Sequence, residues 1–319
     1  MRLGIFTLLL ALLLPGVSTA QVGLQPQNDI IITPSHPLPG QEFTATIDDY
    51  AGGLFGSQIT WYYNGEVVPD SINQRSITLE AVDLGQQGNI RAVFLTPSGL
   101  EQSLAKVIRP VYVDLIIEPQ TRVPDWYEGR ALPSYGSQVN ATVLVSDGTI
   151  IDPQTLIYTW NINNKVLEGG PVRGQHKTSF LTPRGGEMLV SISVSSVAGE
   201  TLATRAQAIP IVQPELSFYE RHSLYGLSHI PVASTLNLIG GGATTLQAEP
   251  FYLDTLVYNN PDIIEWQIDG IDINNGSSNP YQITVQPTGV NRSSRVNLHV
   301  RSLETLLQGA EESVTVSFN

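Results

Sequence analysis

Side chains able to do chemistry are sparse in this chain, and they gather in two segments rich in aromatic residues and arginine. Residues 120–135 carry Trp126, Tyr127, Arg130 and Tyr135, and residues 221–242 carry Arg221, His222, Tyr225 and His229 with the run Gly240-Gly241-Gly242. Large rings beside guanidinium groups are the residue types that anchor interfaces. If Trp126, Tyr127 and Tyr225 face solvent, they also make platforms on which sugar rings stack. The two segments are therefore candidate binding surfaces, for a protein in one reading and a glycan in the other.

Metal and acid–base chemistry find less support. His222 and His229, with Glu220, share one segment and have ligand chemistry, but their spacing fits no established ligand pattern and the chain has no cysteine. A polar loop with incidental histidines is the simpler reading. His299 alternates outward on Val296-x-Leu298-x-Val300, as a surface strand residue does. Calcium oxygen ligands are offered only by Asp269-Gly270-Ile271-Asp272-Ile273-Asn274-Asn275 and by Asp48-Asp49. Asp269-Gly270 already has the composition of a tight turn, which is the better reading. Asp147, Asp152 and Asp254 are too dispersed to pair as acid and base. There is no His-Glu-x-x-His, Gly-x-Ser-x-Gly, phosphate-binding loop or dinucleotide fingerprint. No catalytic residue, cofactor or metal is expected.

What must position these segments is a repeat. Thr60-Trp61-Tyr62-Tyr63-Asn64-Gly65 returns as Thr159-Trp160-Asn161-Ile162-Asn163-Asn164, and more loosely as Glu265-Trp266-Gln267-Ile268-Asp269-Gly270. Apolar residues fall two apart in each copy, so each tryptophan lies on the inner face of a strand that turns back at once. Trp61, Trp160 and Trp266 are the expected structural core. A period near 100 residues made of short strands predicts tandem β-sandwich modules. First strands are expected at Asp29–Thr33, Asp114–Pro119 and about 215–220, each at a sheet edge. Second strands follow at 40–46, 136–142 and 243–248, and late strands at 90–95, 189–194 and 296–300. Last strands are expected at 107–113, 208–212 and 313–318.

The Trp strand running into a Gly, Asn or Asp turn resembles bacterial immunoglobulin-like and PKD-type modules. The chain departs from the PKD pattern, because no Gly-Asp-Gly turn follows the tryptophan. Val123–Ser134 (VPDWYEGRALPS) and Phe218–Gly226 (FYERHSLYG) also look like stretches of uncharacterised exported multi-module proteins of bacteria. That resemblance implies a surface or envelope location and carries no activity. The expected fold is all-β: three tandem immunoglobulin-like β-sandwiches in a semi-rigid rod after a signal peptide. The divisions are 1–20 signal peptide, 21–27 loose leader, and modules 28–112, 113–212 and 213–319. Pro110, Pro210 and Pro214 stiffen the joints.

The signal peptide is expected from Arg2, the apolar run Ile5–Leu14 and the small residues Ser18-Thr19-Ala20. That run is too short to span a membrane, and the C-terminus alternates like a strand and carries no anchor. The mature protein is thus expected to be exported without membrane insertion. Absence of cysteine in an exported sandwich protein points to bacterial export, since eukaryotic immunoglobulin domains usually carry a disulfide. A net charge of −13 disfavours nucleic acid and anionic lipid as partners. Asn140, Asn275 and Asn291 begin glycosylation sequons of the kind that arise by chance in an Asn-, Ser- and Thr-rich chain.

Position sharpens the two candidate surfaces. Module one spends five residues between Pro34 and Gly40, whereas module two spends sixteen between Pro119 and Gly136. The loop after a sandwich's first strand lies toward the following module, so the 120–135 insert is expected either to wedge against module three or to take a partner. The 221–242 insert has no following module and is the better contact tip. The function expected is a non-enzymatic envelope or cell-surface spacer or protein-binding scaffold, with an envelope or appendage protein as partner. The alternative is an accessory glycan- or polymer-binding protein using exposed aromatics.

Overall fold

The computed structural model describes residues 28–50, 54, 56–95, 99–238, 242–286 and 292–318. The expected signal peptide and leader, together with Gly240, Gly241 and Asn291, lie outside these residues. The fold is all-β, built as tandem β-sandwich modules, and almost every element is a strand.

The first set of strands is β1 (Asp29–Thr33), β2 (Glu42–Asp48), β3 (Gln58–Tyr63), β4 (Glu66–Val67), β5 (Ser76–Glu80), β6 (Gly88–Leu95) and β7 (Glu101–Ile108). They form sheets of order β1-β2-β5 and β4-β3-β6-β7. The second set is β8 (Tyr112–Pro119), β9 (Gln138–Ser146), β10 (Leu156–Ile162), β11 (Lys165–Val166), β12 (Val172–Arg173), β13 (Lys177–Leu181), β14 (Glu187–Ser196) and β15 (Thr201–Pro210). Their sheets are β13-β9-β8 and β11-β10-β14-β15, with β12 also on β10. In both sets the first two strands share a sheet with one later strand, β5 or β13, and the Trp strand shares the other with the last two, which is the immunoglobulin order.

The third set is β16 (Glu215–His222), β17 (Gly226–Pro231), β18 (Thr235–Leu238), β19 (Thr244–Phe251), helix α1 (Thr255–Asn259), β20 (Ile263–Ile268), β21 (Ile271–Ile273), β22 (Gln282–Val285), β23 (Arg292–Arg301) and β24 (Gly309–Phe318). The sheets are β17-β16-β19-β22 and β18-β24-β23-β20-β21, and β18 runs parallel to β24. Here the first strand is not at an edge as expected. The inserted segment folds back as β17 and covers it.

By contacts the described residues form two compact units, one of 28–32, 44–77 and 89–106, the other of 33–43, 78–88 and 107–318. The second unit holds two hydrophobic clusters, one running from Val111 to Ile209 and one from Leu216 to Phe318.

One device recurs in all three sets. Trp61, Trp160 and Trp266 are each at most 3% exposed. Each indole N–H donates to a backbone carbonyl 13 to 15 residues on: Gln74 at 2.8 Å, Gln175 at 2.9 Å and Pro280 at 2.8 Å. A buried indole needs that acceptor, and the carbonyl supplies it without a polar side chain in the core. The turn after each Trp strand has two residues at positive φ: Asn64 (51°) and Gly65 (89°), Asn163 (51°) and Asn164 (63°), Asp269 (50°) and Gly270 (80°). Asn and Asp tolerate that region, and here their side chains do more. The side-chain Oδ1 of each first turn residue accepts the backbone N–H of Asn89, Leu189 or Arg295, at 2.9, 2.8 and 2.7 Å. The turn is thereby tied to the neighbouring strand.

Two last strands sit elsewhere than expected. The first set ends on β7, so residues 107–113 straddle the close of β7 and the start of β8. β15 begins at Thr201 rather than near residue 208. Both strands lie at sheet edges and show solvent mostly polar residues, Glu101, Gln102 and Ser103 in one and Thr204, Arg205 and Gln207 in the other. Such strands carry little of the apolar alternation that reveals a half-buried one.

Candidate binding surface

The 120–135 insert folds onto the strands of the third set. It first forms a short backbone ladder: Arg122 N–H donates to Leu253 O at 2.7 Å, Tyr252 N–H to Arg122 O at 2.7 Å, and Thr255 N–H to Gln120 O at 3.0 Å. Asp254 then serves both sides. Its Oδ1 accepts Leu256 N–H at 2.8 Å, capping α1, and its Oδ2 accepts Gln138 N–H at 3.1 Å. Gln308, 1% exposed, closes the centre. It accepts Asp254 N–H at 2.9 Å and donates to the Ser134 hydroxyl at 2.8 Å and to Tyr135 O at 2.6 Å. The Ser134 hydroxyl in turn donates to Tyr252 O at 2.6 Å. Buried polar groups fully paired in this way fix one arrangement, because any slip leaves several unsatisfied.

An aromatic layer covers that network. The Trp126 ring stacks on His229 (centroids 4.9 Å apart, 18° between planes) and stands against the Tyr219 ring at 5.1 Å and 71°. Tyr127 meets the Phe251 ring edge to face at 5.4 Å, and its hydroxyl lies 2.9 Å from that of Tyr252. Gly129 passes so close beneath the Tyr127 ring that a Cβ there would overlap it. Burial, followed by the Tyr127 hydroxyl, pushes the Tyr252 phenol up to about 12. Tyr252 also sits at φ 60°, costly for a bulky residue and held here by hydrogen bonds at its N–H, C=O and hydroxyl.

Charge at this joint is paired by proximity, although Arg122 Nε and Glu249 Oε2 are buried without a hydrogen bond. Arg122 lies 2.9 Å from Asp125, 3.7 Å from buried Glu249 and 5.3 Å over the Tyr258 ring. Burial weakens its hold on the proton, but Asp125, Tyr258 and Glu249 more than offset this, leaving its pKa raised. The other Glu249 oxygen accepts from the Gln247 amide.

The 221–242 segment has another fate. β16 runs to His222, turns through 223–225 and returns as β17. At the tip Leu224 is 81% and Tyr225 86% exposed, and Ile230 on β17 is 78% exposed. His222 accepts Leu224 N–H at Nδ1 (3.1 Å), and its ring lies 4.8 Å from that of Tyr225. Arg221 donates to Gln247 at 3.0 Å along the outer face of the sheet. On β17 the Ser228 hydroxyl donates to Ile230 O and accepts Ile230 N–H, at 3.3 and 3.2 Å.

Of the residues singled out from sequence, the fold thus brings Trp126, Tyr127 and His229 into one aromatic layer and His222 and Tyr225 onto one hairpin tip. Tyr135 lies apart, under the Arg184 guanidinium at 5.1 Å, and Arg130 is exposed. His222 and His229 face different neighbours. No three His, Cys, Asp or Glu side chains among the described residues are grouped to hold a metal ion. Asp269 is occupied by its turn, Asp152 caps a short 3₁₀ turn, and Asp147 accepts from Thr149. The residues that sequence reasoning missed are Arg122, Ser134, Tyr252 and Gln308. Of these only Tyr252 had a local signal, the Phe251–Thr255 run with two aromatics before an Asp-Thr helix cap.

No protein-family profile and no curated protein matches this chain. Among solved structures it is similar to the three N-terminal domains of the bacteriophage RB49 Highly Immunogenic Outer Capsid protein (12% identity, 92% of this chain and 97% of that one, TM-score 0.26). It is also similar to fibronectin(III)-like modules of Clostridium thermocellum CbhA (11% identity, 58% and 94%, TM-score 0.28). A third is the Bacteroides ovatus mixed-linkage glucan utilization locus SGBP-B, solved with a mixed-linkage heptasaccharide (12% identity, 92% and 71%, TM-score 0.22). Scores this low carry no argument about function. Among the described residues no helix is long and apolar enough to cross a membrane.

Proposed function

We propose that this chain is an exported, non-enzymatic binding scaffold of bacterial immunoglobulin-like type, whose 222–230 hairpin docks an envelope or appendage protein. The reading takes the module divisions at 112 and 212, with a rigid joint between the last two modules behind the hairpin. One observation carries it: among the described residues, Leu224, Tyr225 and Ile230 stand on a single hairpin, largely in solvent. Apolar side chains held out on a hydrogen-bonded hairpin lose little conformational freedom on binding, which favours a protein interface. The glycan reading needs several open, coplanar rings. Trp126 has His229 on one face, Tyr127 is engaged by Phe251 and Tyr252, and Tyr225, the most exposed of the three, has the His222 ring 4.8 Å away, so no set of open coplanar rings is supported.

The test is photo-crosslinking in cells from position 225 of the full exported chain. Capture of one envelope or appendage protein, lost in Leu224→Ser, supports the proposal. Crosslinks only within the chain, together with retention on a glycan array that Tyr225→Ala abolishes, would replace it by the sugar reading.

A further inference from the structure

A cavity of about 860 Å³ opens where the β13–β14 loop, the segment between β15 and β16, and strands β23 and β24 meet. Its charged lining is Arg184, Arg301, His299 and Glu311. Among the described residues only Arg75, Lys106 and Arg122 pair with a carboxylate, so what distinguishes this cleft is that two arginines line it together. Neither arginine forms an ion pair among the described residues. Arg184 is exposed and lies over the Tyr135 ring. Arg301 is half-buried, and its Nε–H is buried with no acceptor. Neither arginine is paired with the carboxylates on these strands: Glu265 faces His299 at 3.7 Å, and Glu311 accepts from the Asn297 amide at 2.8 Å while keeping its charge in the lining. Beside this cationic wall the lining is aliphatic. Val212 and Pro214 are half-buried, and Leu306 and Leu307 are 70% and 53% exposed.

We infer that this cleft binds an acidic peptide segment of a partner protein, with a carboxylate at the two arginines and a neighbouring aliphatic side chain against Leu306 and Leu307. Planar guanidinium forks match a carboxylate in geometry as well as charge, and the volume is that of an ordinary ligand pocket. A peptide fits better than an acidic sugar polymer, because the one aromatic ring in the lining, Tyr135, has Arg184 over its face. The site lies on different elements from the 222–230 hairpin and stands without it.

The test is fluorescence anisotropy with the full chain and a labelled peptide of alternating glutamate and leucine with a free carboxyl terminus. A matched peptide with lysine for glutamate is the control. The acidic peptide should bind and the lysine peptide should not, and binding should weaken as salt rises. Arg184→Gln and Arg301→Gln should each lower affinity by about tenfold, the loss of one charge-assisted bond. Lys165→Gln, which removes an exposed cation on β11 outside the cleft, should leave it unchanged. Arg184 is exposed, so its variant tests the charge without disturbing the core, and a melting curve for Arg301→Gln guards against misfolding. No binding by the unaltered chain, equal binding of the lysine peptide, or full binding by Arg184→Gln would overturn the inference. So would tighter binding of polygalacturonate than of the peptide.

Discussion

The 120–135 and 221–242 inserts begin at the same place, after the first strand of a set, and draw on the same residue types. One is folded inward and the other is presented. Trp126 and Tyr127 meet the waiting rings of Tyr219, Phe251 and Tyr252, and Ser134 finds Gln308. Leu224 and Tyr225 meet nothing comparable and remain in solvent. Composition therefore does not decide whether an aromatic segment is a joint or a docking surface. What decides is whether the chain elsewhere supplies a complementary face with matching hydrogen-bond partners.

Mutation can break or sharpen that contrast. Trp160→Ala sets the upper bound, with an expected loss of about 3–5 kcal/mol from a fully buried ring, read by chemical denaturation. Gln308→Leu should come next, at about 3 kcal/mol, because it strands Asp254 N–H and Tyr135 O in a buried site and removes one of the two bonds of the Ser134 hydroxyl. Trp126→Ala should cost about 2 kcal/mol, since its half-buried ring meets three aromatic neighbours, Tyr219, His229 and Phe251. If it costs no more than Tyr225→Ala, the inward insert is not a joint.

A smaller effect is confined to alkaline pH. The Tyr252 phenol is raised from its ordinary value near 10 to about 12, so the folded state holds that proton more tightly than the unfolded chain does. Its contribution to stability is complete below pH 10 and is lost as the pH rises through 12. Denaturation midpoints across that window should fall less in Tyr252→Phe than in the unaltered chain. Smallest of all, Tyr225→Ala should shift stability by no more than about 0.5 kcal/mol, as expected for an exposed side chain.

Much of the fold was legible because local chemistry alone specifies it. Period-two alternation marked the Trp strands, and Asn-Gly, Asn-Asn and Asp-Gly marked turns that do take positive φ. Edge strands β7 and β15 were misplaced because their solvent-facing residues interrupt that alternation. β17 was unforeseen because a segment of Ser, His, Leu and Gly reads as loop, whereas pairing with β16 makes it strand. The candidate surface was legible only in residue type. Nothing local to Trp126 announces Tyr219 or His229, and nothing local to Ser134 announces Gln308, 174 residues away. Such pairs exist only once two sandwiches have folded.

The tryptophan clamp bears on how such a chain can evolve. It needs one indole, one main-chain carbonyl and a turn residue that reaches the next strand, all within a single module. Copies of the module can therefore be duplicated and drift apart in nearly every other position without losing their cores. The insert after the first strand obeys the opposite rule. That of residues 120–135 also meets its own module at Gln138, Arg184 and Val212, but its centre is keyed to Tyr252, Asp254 and Gln308, so it fits one successor. Cores of this kind are interchangeable, while the order of the second and third modules is written into the joint. Exchanging them would leave three sound sandwiches and no joint between them.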